Sequence, residues 1–169
     1  MYTLKTISRE SIASALQKAE RYRLLNEPYE AVSICLDILH VDPEHQQALI
    51  MLLLAYTDQF KDHIYPSFDK ATQVLEQLGD AHCRRYYLGI INERRAKAHL
   101  DRGGPGSAEM AHDWYIKAME AYEQALESCS PDNQDAILRW NTCARILNES
   151  KHMHPSEEQR EVQLTDGYE

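Results

Sequence analysis

The stretch AMEAYEQALESCSP, residues 118–131, places Ala118, Tyr122 and Ala125 on one face of a helix and ends near Pro131. A similar stripe of small and larger apolar residues occurs far upstream, in AVSICLDILHVDP, residues 31–43. Its corresponding residues are Ala31, Cys35, Ile38 and Pro43. A helical stripe that recurs and is closed each time by a proline predicts a repeated helical unit.

The composition favours helix throughout the chain. The 169 residues include 6 Gly and 6 Pro, and no run of alternating valines predicts a sheet. The net charge of −9 disfavours nucleic acid as a partner. No stretch approaches the roughly 18 apolar residues that span a bilayer, and the first residues do not read as a signal peptide. We therefore expect an all-α protein in the cytoplasm that binds neither nucleic acid nor membrane.

Turn and cap residues divide the chain into seven predicted helices. Ser8, Ser67 and Ser107 are the predicted N-caps of the first, fourth and sixth helices, and residues 60–66 are predicted to form a loop. The predicted helices cover residues 8–26, 28–41, 44–59, 67–79, 81–102, 107–128 and 134–148. Short turns between such helices predict stacked antiparallel hairpins.

The first helices of the hairpins recur at a nearly constant spacing. Ala19 and Leu53 lie 34 residues apart, as do Tyr22 and Tyr56, and Gly89 follows Leu53 by 36. The second helices recur less evenly, because Ala31, Ala71 and Ala118 are separated by 40 and 47 residues.

These motifs resemble the tetratricopeptide repeat (TPR), a helix-turn-helix of 34 residues. The resemblance covers residues 8–148 and implies repeats at 8–42 and 44–79, an elongated third repeat at 81–130, and a capping helix at 134–148. Residues 149–169 are predicted to be a mobile acidic tail.

The TPR resemblance also implies a concave groove, lined by the first helices, that binds a protein or peptide segment. The residues carried over to this groove are mostly apolar or aromatic, as expected of a binding surface. They are Leu16, Gln17, Ile50, Met51, Leu54, Tyr86, Tyr87, Ile90, Leu138 and Arg139. The alternative for several of them, especially Leu54 and Ile90, is burial between helices. The resulting hypothesis is a scaffold or chaperone-like adaptor. The alternative is a structural homo-oligomer that associates through the groove or the long third hairpin.

Residues that could support chemistry are few, and no known catalytic motif accompanies them. Asp58, Asp62 and His63 could form a carboxylate–histidine pair, and the run His152–His154 could bind a transition metal. We interpret the first group as ordinary loop polarity and the second as part of a polar tail. The sequence therefore predicts no enzyme activity, no metal and no cofactor.

Two further groups of residues have alternative interpretations. The four cysteines, with no C-x-x-C pair, are predicted to be reduced core residues. They are Cys35, Cys83, Cys129 and Cys143. A basic patch around the fifth helix is predicted to be a solvated or acid-paired face, with a docking site for an acidic ligand as the alternative. Its residues are Arg84, Arg85, Arg94 and Arg95.

Overall fold

A computed structural model describes residues 2–130, 132–150 and 152–155. Every regular element in these residues is helical, so the prediction of an all-α protein is confirmed. A short 3₁₀ turn at Arg9–Ser11 precedes the first α-helix. The helices are α1 (Ile12–Leu24), α2 (Pro28–Val41), α3 (Gln46–Asp58), α4 (Phe60–Leu75), α5 (Ala81–Arg102), α6 (Ser107–Leu126) and α7 (Asp135–Glu149).

The turn between α1 and α2 shows how the sequence ends one helix and starts the next. Asn26 adopts a left-handed conformation with φ of 61°, and the Glu27 N–H donates to the Tyr22 carbonyl at 2.8 Å. This is the bonding pattern of a Schellman C-cap, in which asparagine tolerates positive φ. Pro28 then opens α2, where a missing N–H costs nothing.

Two of the three predicted serine caps are wrong, and the third, Ser8, takes the N-cap position of the 3₁₀ turn rather than that of α1. Ser8 lies before the 3₁₀ turn and makes no capping bond through its side chain, and Ser107 is already helical, behind Gly106. The side chains that do cap are those of His45 and Asp80, which accept from the Ala48 and Cys83 N–H groups at 3.3 and 2.7 Å. The bond from the Cys83 N–H lowers the pKa of the Asp80 carboxyl.

The predicted loop at residues 60–66 is also wrong, because α4 begins at Phe60. Its one irregular residue is His63, with φ of −140° and ψ of 72°, so α4 is one helical turn followed by a second, longer segment. Pro66 lies in the first turn of that second segment, where proline is tolerated. Ser67, the predicted cap, is instead buried inside α4, and the helix ends at Leu75 rather than at Gly79.

Residues 2–79 form one compact unit, in which α1 packs on α2, α2 on α3, and α3 on α4. Its core contains the upstream stripe that the sequence predicted, because Ala31, Cys35 and Ile38 are all 0% exposed. Burial raises the pKa of the Cys35 thiol to about 12, so this residue behaves as a small apolar side chain. Further core residues are Ala19, Leu49, Leu53, Phe60, Ile64, Ala71 and Leu78.

Residues from Asp80 onward form the second compact unit, in which α6 packs against both α5 and α7. The stripe that ends near Pro131 lies in its core, since Ala118, Tyr122 and Ala125 are each 0% exposed. Pro131 itself lies outside the described residues. All four cysteines of the chain are free thiols, of which Cys35 and Cys143 are buried.

The hairpin of α5 and α6 is longer than the hairpin of α1 and α2, as the sequence predicted. Its helices have 22 and 20 residues, against 13 and 14 in α1 and α2. The turn at its tip, residues 103–106, has positive φ at all three glycines. A side chain added at any of these glycines would meet no atom within 4 Å, so the tip is open to solvent.

The tight contact between α5 and α6 gives a first prediction, for Ala118→Leu. Ala118 is 0% exposed in the middle of α6, so the extra methyl groups have no space. We expect the free energy of unfolding to fall by roughly 1–3 kcal/mol, measured by urea denaturation followed by circular dichroism. Glu120→Leu, at an exposed position on the same helix, is the control and should change stability little. An unchanged midpoint for Ala118→Leu would contradict this packing.

Candidate functional site

The ten predicted groove residues lie on α1, α3, α5 and α7, and so divide between the two units. In the first unit Gln17 is exposed, while the other predicted residues are half-buried: Leu16, Ile50, Met51 and Leu54. In the second unit Leu138 is 62% exposed, whereas Ile90 is only 3% exposed and belongs to the core. Tyr86, Tyr87 and Arg139 are half-buried.

A charged pair joins α1 to α3 beside Met51. The Arg23 guanidinium donates to both carboxylate oxygens of Asp58, from Nε at 2.7 Å and from Nη2 at 3.3 Å. Its Nη1 also lies 3.8 Å from the Met51 sulfur. Both charged side chains are largely shielded from water, and such two-point contacts hold a guanidinium in a fixed orientation. The pair therefore holds the guanidinium in place beside the Met51 sulfur.

Sequence reasoning missed this pair as part of the site. Arg23 and Asp58 are 35 residues apart, which is close to the period of the first helices. The available signal was that Arg23 and Asp58 carry opposite charges at nearly corresponding positions in the first helices of two successive hairpins. The sequence instead suggests a group of Asp58 with Asp62 and His63, whose side chains are exposed in the first turn of α4.

Two adjacent tyrosines form the aromatic part of the second unit's face. The Tyr86 and Tyr87 rings lie 5.1 Å apart between centres, nearly perpendicular at 80°. Tyr86 also packs on the core residue Tyr122, with ring centres 5.9 Å apart. Edge-to-face contacts of this kind favour one arrangement of the rings. The pair is thus fixed by the core at one end and half-exposed at the other.

A hydrogen-bonded network below these rings ties α5, α6 and α7 together. The Tyr122 hydroxyl donates to Glu93 Oε2 at 2.6 Å, and Arg139 Nη1 donates to Glu93 Oε1 at 3.2 Å. Arg139 also forms a side-chain hydrogen bond with Tyr86. Glu93 therefore has a donor on each carboxylate oxygen, which stabilises its charge in a largely buried position.

The protonation states in this network suit binding better than proton transfer. Burial, together with the Glu93 charge, raises the pKa of the Tyr122 hydroxyl strongly, and burial also raises the pKa of Tyr86. Both hydroxyls are therefore protonated across the physiological range and act as fixed hydrogen-bonding groups. A general acid or base would need a pKa close to the working pH.

The basic patch of α5 is partly occupied by contacts within the second unit. Arg85 donates to the Gln124 carbonyl at 3.2 Å and lies 3.8 Å from Glu127. The Arg95 guanidinium lies 4.0 Å from the centre of the Trp114 ring. The patch is thus in part an acid-paired face, which is one of the two interpretations that the sequence left open.

The two remaining candidate groups are not assembled into a chemical site. His152 lines a cavity with Leu100 and Met153, and His154 Nε2 lies 3.7 Å from Glu109. Within the residues that the structure describes, no three His, Cys, Asp or Glu side chains come together as metal ligands. No helix in the same residues is both long and apolar enough to cross a membrane.

Comparison with known proteins adds no family. The sequence matches no protein-family model, and a search of the curated proteins gives no match. The resemblance to TPR proteins therefore stays a prediction that rests on the residues quoted above. The support for a function therefore comes from the geometry of the half-buried residues on α1 and α3 and of those on α5 and α7.

Proposed function

We propose that this protein is a protein–protein interaction module, a scaffold or chaperone-like adaptor that binds a segment of a partner protein. The face that carries this proposal is the half-buried pair of Tyr86 and Tyr87 on α5. Leu138 and Arg139 of α7 belong to the same unit, and Leu138 is 62% exposed. The first unit has its own half-buried residues of the predicted groove, which are Leu16, Ile50, Met51 and Leu54.

The physical support for the proposal is rigidity combined with an accessible aromatic surface. Tyr86 is held by Tyr122 and by Arg139, so little conformational freedom is lost when a partner binds. Tyrosine offers a large contact area and a hydroxyl for hydrogen bonding, and is enriched among the residues that dominate binding energy. Methionine at position 51 adapts its shape to an irregular surface.

The decisive experiment is a comparison of Tyr87→Ala with the unchanged protein. A photo-crosslinking amino acid at position 87 would first identify the partner in a cell extract, and binding would then be measured with the purified partner. We expect Tyr87→Ala to weaken binding by on the order of 2 kcal/mol, with a smaller loss of folding stability. Tyr87→Phe should lose less, because the ring remains.

Tyr29→Ala is the matched control, since Tyr29 is 55% exposed on α2 and lies outside the predicted faces. It should leave binding unchanged. Equal binding by Tyr87→Ala and the unchanged protein would reject the proposed face. So would crosslinking at position 29 to the same partner with the same yield.

Self-association through the same face or through the long α5–α6 hairpin is the alternative function, and the exposed Leu138 of α7 and Met110 of α6 favour it. Sedimentation of the purified protein distinguishes the two. A monomer at high concentration supports a separate partner. A stable dimer that Tyr87→Ala dissociates supports the homo-oligomer instead.

A further inference from the structure

A cleft lies in the first unit between residues of α2, α3 and α4. Its volume is about 320 Å³, which is near the lower end for sites that hold a small molecule. Leu52 of α3 and Val74 of α4 form its floor, since they are only 3% and 5% exposed. Leu36 and Leu39 of α2 form one wall, and Leu36 is 49% exposed. We call this site the α2–α4 cleft.

The wall of the α2–α4 cleft is a second apolar stripe of α2. The core stripe of this helix includes Cys35 and Ile38, which are both 0% exposed. Leu36 and Leu39 each follow one of these core residues, so they lie beside the core stripe on a more exposed face. Together with the floor, this stripe offers a continuous apolar surface to a ligand that enters from solvent.

The charged group of the α2–α4 cleft is the Lys70 ammonium. Lys70 is exposed on α4, and its Nζ atom lies 5.6 Å from the centre of the Tyr56 ring, which also lines the cleft. None of the described residues that line the cleft is acidic, although the chain as a whole has a net charge of −9. A ligand that complements the cleft therefore carries a single negative charge beside an apolar part.

Tyr56 supplies a second hydrogen-bonding group near the ammonium. Burial raises the pKa of its hydroxyl, which is therefore protonated at physiological pH and can donate a hydrogen bond. A carboxylate has two oxygens that accept hydrogen bonds, so it can accept one from the ammonium and one from the phenol. Bonds to an ionised group are stronger than those between neutral groups.

The helical register of α4 sets the distance between the charged and the apolar parts of the cleft. Lys70 and Val74 are four residues apart in the regular part of α4, so they lie on one face, about 6 Å from each other along the helix axis. A carboxylate at Lys70 would thus place the carbons of an attached chain over Val74. This arrangement suits a molecule with one carboxylate at the end of a hydrocarbon chain.

We propose that the α2–α4 cleft binds a free aliphatic monocarboxylate, with its carboxylate at Lys70 and Tyr56 and its hydrocarbon chain along the apolar floor. The end of a protein chain also carries a carboxylate, but its peptide groups would lie over the floor without hydrogen-bond partners. The site includes neither Tyr86 and Tyr87 nor the predicted groove residues of α3. It therefore stands or falls independently of the proposed function.

Titration of the full chain, labelled with nitrogen-15, with octanoate in an NMR experiment tests the proposal. We expect saturable shifts of the backbone amide signals of Leu52, Tyr56 and Val74. Octylammonium, which has the same chain and the opposite charge, should bind roughly tenfold more weakly or less, and acetate should cause no such shifts. The absence of saturable shifts with octanoate, or equal binding of octylammonium, would overturn the proposal. Tighter binding of N-acetylleucine, which imitates the end of a protein chain, would overturn it too.

Matched lysine variants test the position of the carboxylate. Lys70→Met removes the charge and keeps an unbranched side chain, and Lys61→Met makes the same change at another exposed lysine of α4. We expect Lys70→Met to raise the dissociation constant for octanoate roughly tenfold, and Lys61→Met to leave it unchanged. Tyr56→Phe should raise it by a smaller factor, because only a neutral donor is lost. Circular dichroism would first show that each variant is folded. Equal dissociation constants for the two lysine variants would overturn the proposal.

Discussion

Phe60→Ala is expected to lower the free energy of unfolding by about 3–5 kcal/mol. Phe60 is 1% exposed, and its ring centre lies 6.2 Å from that of Phe68 in the second segment of α4. Removing the ring leaves a cavity in the core of the first unit, and core cavities are among the costliest single changes. Thermal and urea unfolding followed by circular dichroism would measure the loss.

Tyr65→Ala is the matched control for this prediction. Tyr65 lies in the same helix but is 60% exposed, so its removal should change stability by no more than about 0.5 kcal/mol. Similar small effects of both changes would mean that residues 60–66 form a surface loop, as the sequence alone predicted, and would contradict the burial of Phe60 at the start of α4.

Gly89→Ala is expected to cost about 2–3 kcal/mol, although alanine is the better helix former by about 1 kcal/mol. A Cβ atom at position 89 would lie 2.5 Å from Tyr122 Cδ1 and 2.8 Å from Cζ, well inside van der Waals contact. The ring cannot easily move aside, because it is fully buried and its hydroxyl is held by Glu93. The clash therefore outweighs the gain in helix propensity.

A double variant isolates the clash in the Gly89→Ala protein. Tyr122→Leu removes most of the ring that the new methyl group meets. Gly89→Ala should then be much less harmful in the Tyr122→Leu background than in the unchanged protein, giving a coupling of the kind seen between residues in contact. Strictly additive losses in urea denaturation would show that position 89 does not face Tyr122.

The error at residues 60–66 has a physical cause. Proline and polar residues in this stretch resemble a loop, but Pro66 lies in the first turn of a helical segment, where its missing N–H is not needed. The chain instead breaks at His63, a residue with no special backbone preference in the sequence. Burial of Phe60 and Ile64 stabilises the helix on both sides of that break.

The candidate site was only partly predictable for a similar reason. The TPR resemblance assigned Tyr86, Tyr87 and Met51 to the predicted groove, because a repeat register implies which face of a helix a residue occupies. It could not decide between a groove position and a buried position for Ile90, and it gave no indication that Glu93 joins Tyr122 to Arg139. Those relations depend on how closely the helices pack against one another. The spacing of residues within one helix gives no information about that distance.

The glycine turn at residues 103–106 offers a place to attach reporters and other domains. Its backbone already reverses direction in full contact with solvent, and a side chain added at its glycines would meet no neighbouring atom. Exposed tips of this kind accept inserted sequences and new chain ends more readily than packed elements. A peptide epitope or a circular permutation joined at Gly104 would therefore leave the tyrosine pair in place.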